Sequence, residues 1–459
     1  MLFRAVLLAL AVALGAAGAS ASPVVAAREA AASGPLRVLP SNPRYFADTS
    51  GPVYLTGSHV WWNLVGGQTW KSDCRRGAVR RFSYDAYLRR LQALNHNFFR
   101  LWTLQQPAFF ECGTLVRVGP LPWLRGGPGR ATDGRPKFDL RRFDPAYFRR
   151  LRTRVAEAQR RGFYVSVMLF EGWGLQHHGA WRWRGDPFNR RNNVNGVDGD
   201  LNGDGTGTEL HTLDSREVLR IQDAYLRRVV DTVNRFDNVL YEVANESGGY
   251  STAWQYRVIR LVKAYERTKP KRHPVGMTFQ HAGGSNEALF RSPADWVSPE
   301  SDTFLTDPPV ATGRRVVIAD SDHICGLCAD PTFPWRAFLR GNNVLFMDEF
   351  LSAPENRGAR AALGQTRRYA LRLNLRTARP LPALSSTRFC LATPGREYLA
   401  YQPGSGPFRL DLDAARQSLA VEWLEPATGR TWAAGRVAGG AVRTFTPPFD
   451  GPAVLYVRR

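Results

Sequence analysis

The sequence predicts an α/β fold, a (β/α)8 TIM barrel followed by a small all-β sandwich domain. Three observations carry this prediction. Apolar strand-like runs alternate with amphipathic helical patterns from residue 39 to about 378, the signature of parallel strands joined by crossover helices. Eight such runs can be placed. After Pro380 the helical patterns stop, and short alternating runs separated by Gly and Pro turns take over. A chain of 459 residues exceeds one ordinary domain and suits a barrel with insertions plus a smaller unit.

The N-terminus places Arg4 before an apolar run, Ala5 to Ala17, and then Ala19-Ser20-Ala21 before Pro23. That is the pattern of a secretory signal cleaved after Ala21, so residues 1–21 are expected to be a signal peptide and the product to be secreted or periplasmic. The run is shorter than the roughly 20 residues that span a bilayer, and no membrane association is expected after cleavage. Residues 22–38 read as an Ala-rich linker, and the barrel is expected over 39–378.

The first strand is expected at Val53 to His59 and the second at Phe98 to Leu104, after a helix over 83–94. The third, Phe163 to Phe170, follows a helix over 145–161; the fourth, Val239 to Ala244, follows one over 215–236. Val275 to Phe279, Trp296 to Ser298, Val316 to Ala319 and Val344 to Met347 complete the set, with helices near 252–267, 332–340 and 356–375. In the terminal unit, 384–459, the runs Glu397 to Tyr401, Phe408 to Leu412, Leu419 to Trp423 and Ala453 to Val457 alternate in the manner of sandwich strands.

An insertion rich in Gly, Asn, Asp and Trp lies between Gly172 and Leu213, beyond the C-terminal end of the third strand. Barrel sites gather at that edge, so the insertion is expected to form a substrate-binding wall. Within it, Asp200-Leu201-Asn202-Gly203-Asp204-Gly205 matches the opening of a calcium loop, but the twelfth position is His211 where a bidentate Glu belongs; a Gly-rich turn is the reading, and no metal or cofactor is expected.

Five cysteines in an exported chain suggest structural disulfides. Cys74 and Cys112 lie in the first two loops and could staple them, Cys325 and Cys328 suit a local bridge, and Cys390 is left as a buried thiol. The formal charge of +22 raises the question of nucleic acid, but the arginines are scattered singly or in pairs along helix surfaces without a recognition motif, so no nucleic-acid partner is expected. Nothing in the sequence fixes an oligomeric state.

The most specific local signal is Val239-Leu240-Tyr241-Glu242-Val243-Ala244-Asn245-Glu246, an apolar strand ending in Asn-Glu. It resembles the fourth strand of the large barrel superfamily of retaining glycosidases. The resemblance implies Glu246 as general acid/base and Asn245 as a ligand of the sugar 2-hydroxyl. Strand alternation puts Glu242 on the opposite half of the pattern, outside the chemistry. Such chemistry needs an acid that protonates the leaving oxygen and later deprotonates water, beside a second carboxylate about 5–5.5 Å away if the anomeric configuration is retained. In that superfamily the partner ends strand seven, which here leads to Asp320-Ser321-Asp322-His323. Asp320 and Asp322 are both candidate nucleophiles, with His323 beside them; Glu349, after the eighth strand, ranks lower.

Further segments resemble the apiosidase-like glycoside hydrolases: Tyr54-Leu55-Thr56-Gly57-Ser58-His59 with Trp61, Trp62 and Asn63; Asn97-Phe98-Phe99-Arg100-Leu101-Trp102; Pro187-Phe188-Asn189 with Asn192-Asn193-Val194-Asn195-Gly196; Asp320-Ser321-Asp322-His323; and Phe346-Met347-Asp348. The likeness spans about 39–378, and Glu349 departs from it where a Pro is expected after Met-Asp. It implies a carbohydrate substrate, with Asn193, His323 and Asp348 among the binding residues. The terminal Phe449-Asp450-Gly451-Pro452 and Val454-Leu455-Tyr456 resemble a small β-domain named for collagen binding, which commonly follows such barrels.

Trp61, Trp102, Trp173 and Trp181 fall on the expected site edge, where ring faces stack on sugar C–H faces. Arg100 and His59 are placed to contact substrate or to position the carboxylates. The leading expectation is a secreted glycosidase, O-glycosyl bond cleavage by two carboxylates. A barrel that binds carbohydrate or matrix without turnover is the alternative, and a peptidase lacks both HExxH and GxSxG support.

Overall fold

The structure is a computed structural model describing residues 32–61, 63–66, 82–111, 114–176, 182–326, 330–348 and 354–459. Eight parallel strands form the barrel: β1 (Thr56–His59), β2 (Phe98–Leu101), β3 (Tyr164–Glu171), β4 (Val239–Asn245), β5 (Val275–Thr278), β6 (Trp296–Ser298), β7 (Val316–Asp320) and β8 (Asn343–Met347). They are ordered β1-β8-β7-β6-β5-β4-β3-β2, every pair parallel. Asn97 stitches the remaining gap between β1 and β2, its backbone N–H donating to Thr56 O at 2.9 Å and its side-chain oxygen accepting from Thr56 N at 2.9 Å. The approach there is so close that a Cβ on Gly57 would lie 2.1 Å from the Phe98 carbonyl oxygen, which only glycine permits.

The helices form where the apolar spacing predicts them, and several are capped by the residues just before them. Ser83 accepts from Ala86 N ahead of Tyr84–Ala93, Asp144 from Ala146 N ahead of Pro145–Arg160 with Pro145 in the first turn, and Ser215 from Val218 N ahead of Arg216–Val233. Thr252–Glu266 and Arg357–Ala370 bury their apolar side in the same way, whereas the short helix Phe333–Leu339, wedged between barrel and β-domain, is buried nearly all round. A short helix, Asn286–Arg291, joins β5 to β6, where the sequence shows no long periodic run. Among the described residues no helix is long and apolar enough to cross a membrane.

Inside the barrel the side chains form layers. Phe98, Leu240, Trp296, Ile318 and Leu345 fill the lower part, plugged from below by Leu36 and Phe46 of a small antiparallel sheet at Arg37–Val38, Phe46–Asp48 and Gly51–Val53. Above them lie Arg100, Glu242 and Asp320, so the apolar packing ends at a polar layer facing the strand C-termini.

The insertion after β3 has a core of its own. Trp183, Phe188, Val197 and Leu210 pack with Trp123, Phe138 and Leu140 of an antiparallel hairpin, Trp123–Arg130 with Pro136–Phe143, that the sequence reading did not foresee. Beyond the barrel, six strands form one antiparallel sheet in the order Arg379–Pro380, Cys390–Thr393, Glu397–Gln402, Ala453–Arg458, Ser418–Leu424, Thr431–Ala438. A two-stranded sheet, Phe408–Asp411 with Val442–Phe445, completes the small domain around Phe408, Leu410, Trp423 and Leu455. One face of this domain is buried on the barrel, where Leu391, Leu399, Tyr401 and Tyr456 pack on Trp335, Phe338 and Tyr369.

Cys325 is disulfide-bonded, and Cys390 is a buried free thiol whose pKa burial pushes up to about 12. The readings of Cys74, Cys112 and Cys328 fall outside the described residues, as do those of the signal segment, Trp62, Trp181 and Glu349.

Candidate active site

β4 runs one residue further than its apolar pattern, to Asn245, and then turns abruptly. Glu246 has φ +46°, a left-handed conformation that costs a non-glycine residue roughly 1–2 kcal/mol. Neighbours hold it there. Gly172 N donates to Asn245 O at 2.7 Å, the Gln176 side-chain amide donates to the Glu246 carbonyl oxygen, and Ser247 Oγ is hydrogen-bonded to His211 Nδ1 at 2.8 Å. The insertion therefore grips the chain on both sides of Glu246.

Arg100, from β2, organises the polar layer. Its Nε donates to Glu242 at 2.9 Å, Nη2 donates to Glu242 and to Asn245 Oδ1 at 2.7 Å, and Nη1 donates to Asp320 at 3.2 Å and Asp322 at 2.7 Å. These charged side chains are at most 3% exposed, so removing any one of them would leave a buried charge unpaired, a far larger loss than breaking a surface pair. Glu242 corrects the sequence reading: it points into the barrel and is the bidentate anchor of Arg100. Positions 242, 244 and 246 alternate onto one face of a strand, and the left-handed turn at Glu246 then redirects the last of them.

Asp320 and Asp322 have different surroundings. Asp320 accepts from Arg100, from the Asp322 backbone N–H at 3.1 Å, and pairs with His59 Nε2 at 3.3 Å. Burial alone would raise its carboxyl, but His59 and Arg100 outweigh burial and hold it below the usual carboxylate range. Asp322 accepts from Arg100 on one oxygen; its other oxygen takes no hydrogen bond from a described residue. Burial raises this carboxyl well above its ordinary value, Arg100 opposes the rise, and the charges of Glu246 and Asp320 add to it. Arg100 is shared by Glu242, Asp320 and Asp322, so it offsets only part of the negative charge gathered around Asp322. His323, beside them, is held down to about 4 by burial and by Arg100, and is a neutral imidazole at neutral pH.

A cleft of about 260 Å3, including space open to solvent, lies over this layer, lined by Trp61, Trp102, Leu104, Glu171, Trp173, Asn245 and Glu246. Trp61 is 6.0 Å from Trp102 and 6.3 Å from Trp173 between ring centroids, and His59 stacks on Trp102 at 5.5 Å from below. Arg100 lies 4.4 Å from the centre of the Trp102 ring. The structure thus brings together His59, Trp61, Arg100, Trp102, Trp173, Asn245, Glu246, Asp320, Asp322 and His323.

Two candidates lie elsewhere. The Asn193 amide donates to Pro187 O, Asn189 O and Val197 O, and its oxygen accepts from Asn195 N and Val197 N; it is the hub of the insertion loop and has no capacity left for a sugar. Asp348 is fully buried against Arg360, at 3.0 Å, and Asn356, tying the end of β8 to the last barrel helix. Both corrections have one cause: a residue type matched by resemblance carries no information about whether its hydrogen bonds are already satisfied locally. Conversely, the sequence reading missed Glu171. It ended β3 at Phe170, whereas the strand continues one residue and pairs Glu171 with Asn245, which places a buried carboxylate in the cleft. The signal was present, a carboxylate followed by Gly172 at a strand end.

Ligand atoms of Asp320, Asp322 and His323 lie within 4.8 Å of one another, a spacing a cation can use. Arg100 Nη1 already donates to both carboxylates, so their charge is engaged by a guanidinium.

No curated protein matches the chain. Residues 383–453 match the family model described as "Putative collagen-binding domain of a collagenase". Among solved structures, one called "Glycoside hydrolase" superposes with a TM-score of 0.61 at 11% identity, covering 93% of this chain and 97% of that one. A glycoside hydrolase family 5 protein from Bacteroides vulgatus gives 0.59 at 13% identity, covering 93% of each chain. Another Bacteroides vulgatus structure, titled a "putative glycoside hydrolase", gives 0.63 at 14%, covering 93% of this chain and 82% of that one. At such identities the likeness is one of fold: a (β/α)8 barrel with a β-domain behind it, shared over nearly the whole length of the chain.

Proposed function

We propose that this protein is an exported glycoside hydrolase that cleaves glycosidic bonds in oligo- or polysaccharides by a retaining, two-carboxylate mechanism. The observation that carries the reading is Glu246 in the wall of a tryptophan-lined cleft, with Asp322 held by the same Arg100 that binds the cleft residue Asn245 and close enough for the Glu246 charge to act on its carboxyl. The structural relatives named glycoside hydrolases support it. The apiosidase-like resemblance suggests side-chain sugars of plant or microbial polysaccharides as the substrate class.

The roles follow from the surroundings. Glu246, at the cleft wall, is the acid/base. Asp322 is the nucleophile: of the two β7 aspartates it is the one whose carboxyl responds to the Glu246 charge and whose second oxygen takes no hydrogen bond from a described residue. Asp320, held by Arg100, His59 and the Asp322 backbone, positions the Asp322 segment. In the first step an Asp322 oxygen bonds the anomeric carbon as the bond to the leaving oxygen breaks, and that oxygen takes the proton of Glu246. In the second, Glu246 removes a proton from water, the water oxygen bonds the anomeric carbon, and Asp322 leaves as a carboxylate. Arg100 keeps Asp322 oriented and compensates its charge. Asn245, tied to Arg100 through its oxygen, still has its amide donors for a sugar hydroxyl.

The test is a screen of the purified protein on plant cell-wall glycans, with product anomers followed by NMR, then Glu246→Gln, Asp322→Asn and Asp320→Asn on the substrate found. Losses of about 10³-fold or more in kcat are expected for the first two, with azide restoring turnover to the Asp322 variant. Inverted product, or an Asp322→Asn enzyme with near-normal kcat, would overturn the assignment. Glycan binding without turnover in the unmutated protein, unchanged in Glu246→Gln, would replace it with a binding role.

A further inference from the structure

We propose that Glu171 is the residue by which the cleft recognises its sugar, its carboxylate accepting from hydroxyl groups of an uncharged unit, and that units bearing an acid group are turned away. The inference rests on the glycosidase reading and names the substrate class of that same cleft. Placement comes first. Glu171 closes β3, is 1% exposed, and is paired by strand register with Asn245; both line the cleft together with Glu246. The chain just beyond it is pressed onto the loop that carries Glu246. Gly172 N donates to Asn245 O at 2.7 Å, and a Cβ on Gly172 would lie 2.6 Å from Ser247 Cα, an approach only glycine permits. Glu171 is therefore held at a fixed reach from the acid/base residue, as a group that positions a substrate must be.

The chemistry of the lining sets what the ligand must offer. Trp61, Trp102 and Trp173 present ring faces that stack on sugar C–H faces, which leaves the hydroxyl edge to be met by polar groups. Of the described residues in the lining, the polar ones are Glu171, Asn245 and Glu246. Glu246 is kept for the leaving oxygen, and Asn245, whose oxygen is taken by Arg100, offers its amide donors. Glu171 supplies the complementary function, because a carboxylate only accepts. Gly174 N donates to its Oε2 at 3.2 Å; with about four acceptor positions on a carboxylate, that bond orients the group without exhausting it. Hydrogen bonds to an ionised acceptor are short and strong, and two oxygens side by side suit neighbouring hydroxyls on a sugar ring.

The sign of the charge decides the class. The chain as a whole carries +22, which taken alone would point to an acidic polymer. The cleft has the opposite sign: its described lining holds two carboxylates and no Lys, Arg or His. Beneath it, Arg100 uses all five of its N–H donors on Glu242, Asn245, Asp320 and Asp322, and His59 is bonded to Asp320. A uronic acid would bring a third carboxylate into this space, stripped of water beside Glu171 and Glu246 with no uncommitted cation among the described residues to meet it. A neutral sugar brings only hydroxyl donors and acceptors, which the lining matches. Exterior and cleft thus make opposite demands, and the reacting unit must satisfy the cleft.

Product release and quenching of tryptophan fluorescence test this on neutral xylan, arabinan and galactan oligosaccharides and on oligogalacturonides, in about 0.3 M NaCl to screen the basic surface. Binding and turnover are expected with neutral oligosaccharides and neither with oligogalacturonides. Glu171→Gln should raise KM, or the dissociation constant, at least about tenfold, with a melting temperature close to that of the unmutated chain. Should it fail to fold, Glu171→Asp, which keeps the charge and shortens the reach, serves the same purpose. Among deoxy analogues of the sugar found, one should be penalised in the unmutated chain and not in Glu171→Gln, a coupling that a merely structural role would not produce. Hydrolysis that Glu171→Gln leaves unchanged, with every deoxy analogue penalised alike in both proteins, overturns the inference and keeps the glycosidase; binding without turnover, weakened in Glu171→Gln, does the reverse. Oligogalacturonides bound or cleaved as well as the neutral glycans overturn the substrate class, and a chain that neither binds nor cleaves any of them overturns both readings.

Discussion

Replacing Arg100 with Met is the most informative perturbation of the barrel interior, because one side chain there holds together groups from β2, β4 and the end of β7. The substitution keeps much of the volume and removes five hydrogen bonds, two to Glu242 and one each to Asn245, Asp320 and Asp322. Removing one partner of a buried ion pair costs about 3–5 kcal/mol, because the charge left behind has neither water nor a counter-ion. The sign of the pH dependence follows. Arg100 lowers the carboxyl of Asp320 and opposes the rise of Asp322, so without it both titrate higher. The orphaned groups then take up protons as the pH falls, and a neutral carboxyl needs no counter-charge. The penalty should therefore be full at pH 8 and shrink toward pH 5, by about 1.4 kcal/mol for each unit through which one raised group protonates. Urea unfolding followed by tryptophan fluorescence at both pH values measures this. A loss below about 1 kcal/mol at pH 8, or the same loss at both, would show that the cluster is solvated or that Glu242 and the aspartates are neutral in the parent.

Acid should destabilise the parent chain through its buried imidazoles. Burial lowers His96 and His323 to about 4 and His211 to about 3, so the folded state binds fewer protons than the unfolded one below the ordinary histidine value near 6.5. Their contribution is complete above that value and is lost as pH falls toward the folded ones, about 2 kcal/mol per group by pH 5. A urea midpoint flat from pH 7 to pH 5 would contradict this. Gly57→Ala should cost about 3 kcal/mol or prevent soluble expression, since the new methyl would meet the Phe98 carbonyl where β1 and β2 close the barrel; an alanine variant as stable as the parent, judged by melting temperature, would mean that the two strands part freely.

The barrel was legible because its strands are short apolar runs and those of the first half alternate with long amphipathic helices. The observed strands β3, β4 and β7 extend one residue beyond the apolar runs, to Glu171, Asn245 and Asp320. That extra residue is polar at each of these sites, so hydrophobicity ends too early where the chemistry begins. Glu171 was lost in this way, while Asn245 and Asp320 were recovered through resemblance. Glu242 was misplaced because its strand is buried on both faces, which hides the alternation that tells inside from outside. The partnership of Arg100 with four residues up to 222 positions away lies beyond any local pattern. Asn193 and Asp348 show the reverse error, polar residues near the site edge that a fold consumes for its own loops and helix ends.

The seam between barrel and β-domain has a geometrical consequence. Leu391, Leu399, Tyr401 and Tyr456 are buried against Trp335, Phe338 and Tyr369, and Arg372 bridges to Glu422 at 2.6 Å across it. A joint of that kind does not swivel. Any surface the small domain rests on would therefore meet the cleft at one fixed angle and reach, so the two units would address a solid substrate as a single tool with a set bite, and lengthening the chain between them would leave that angle unchanged.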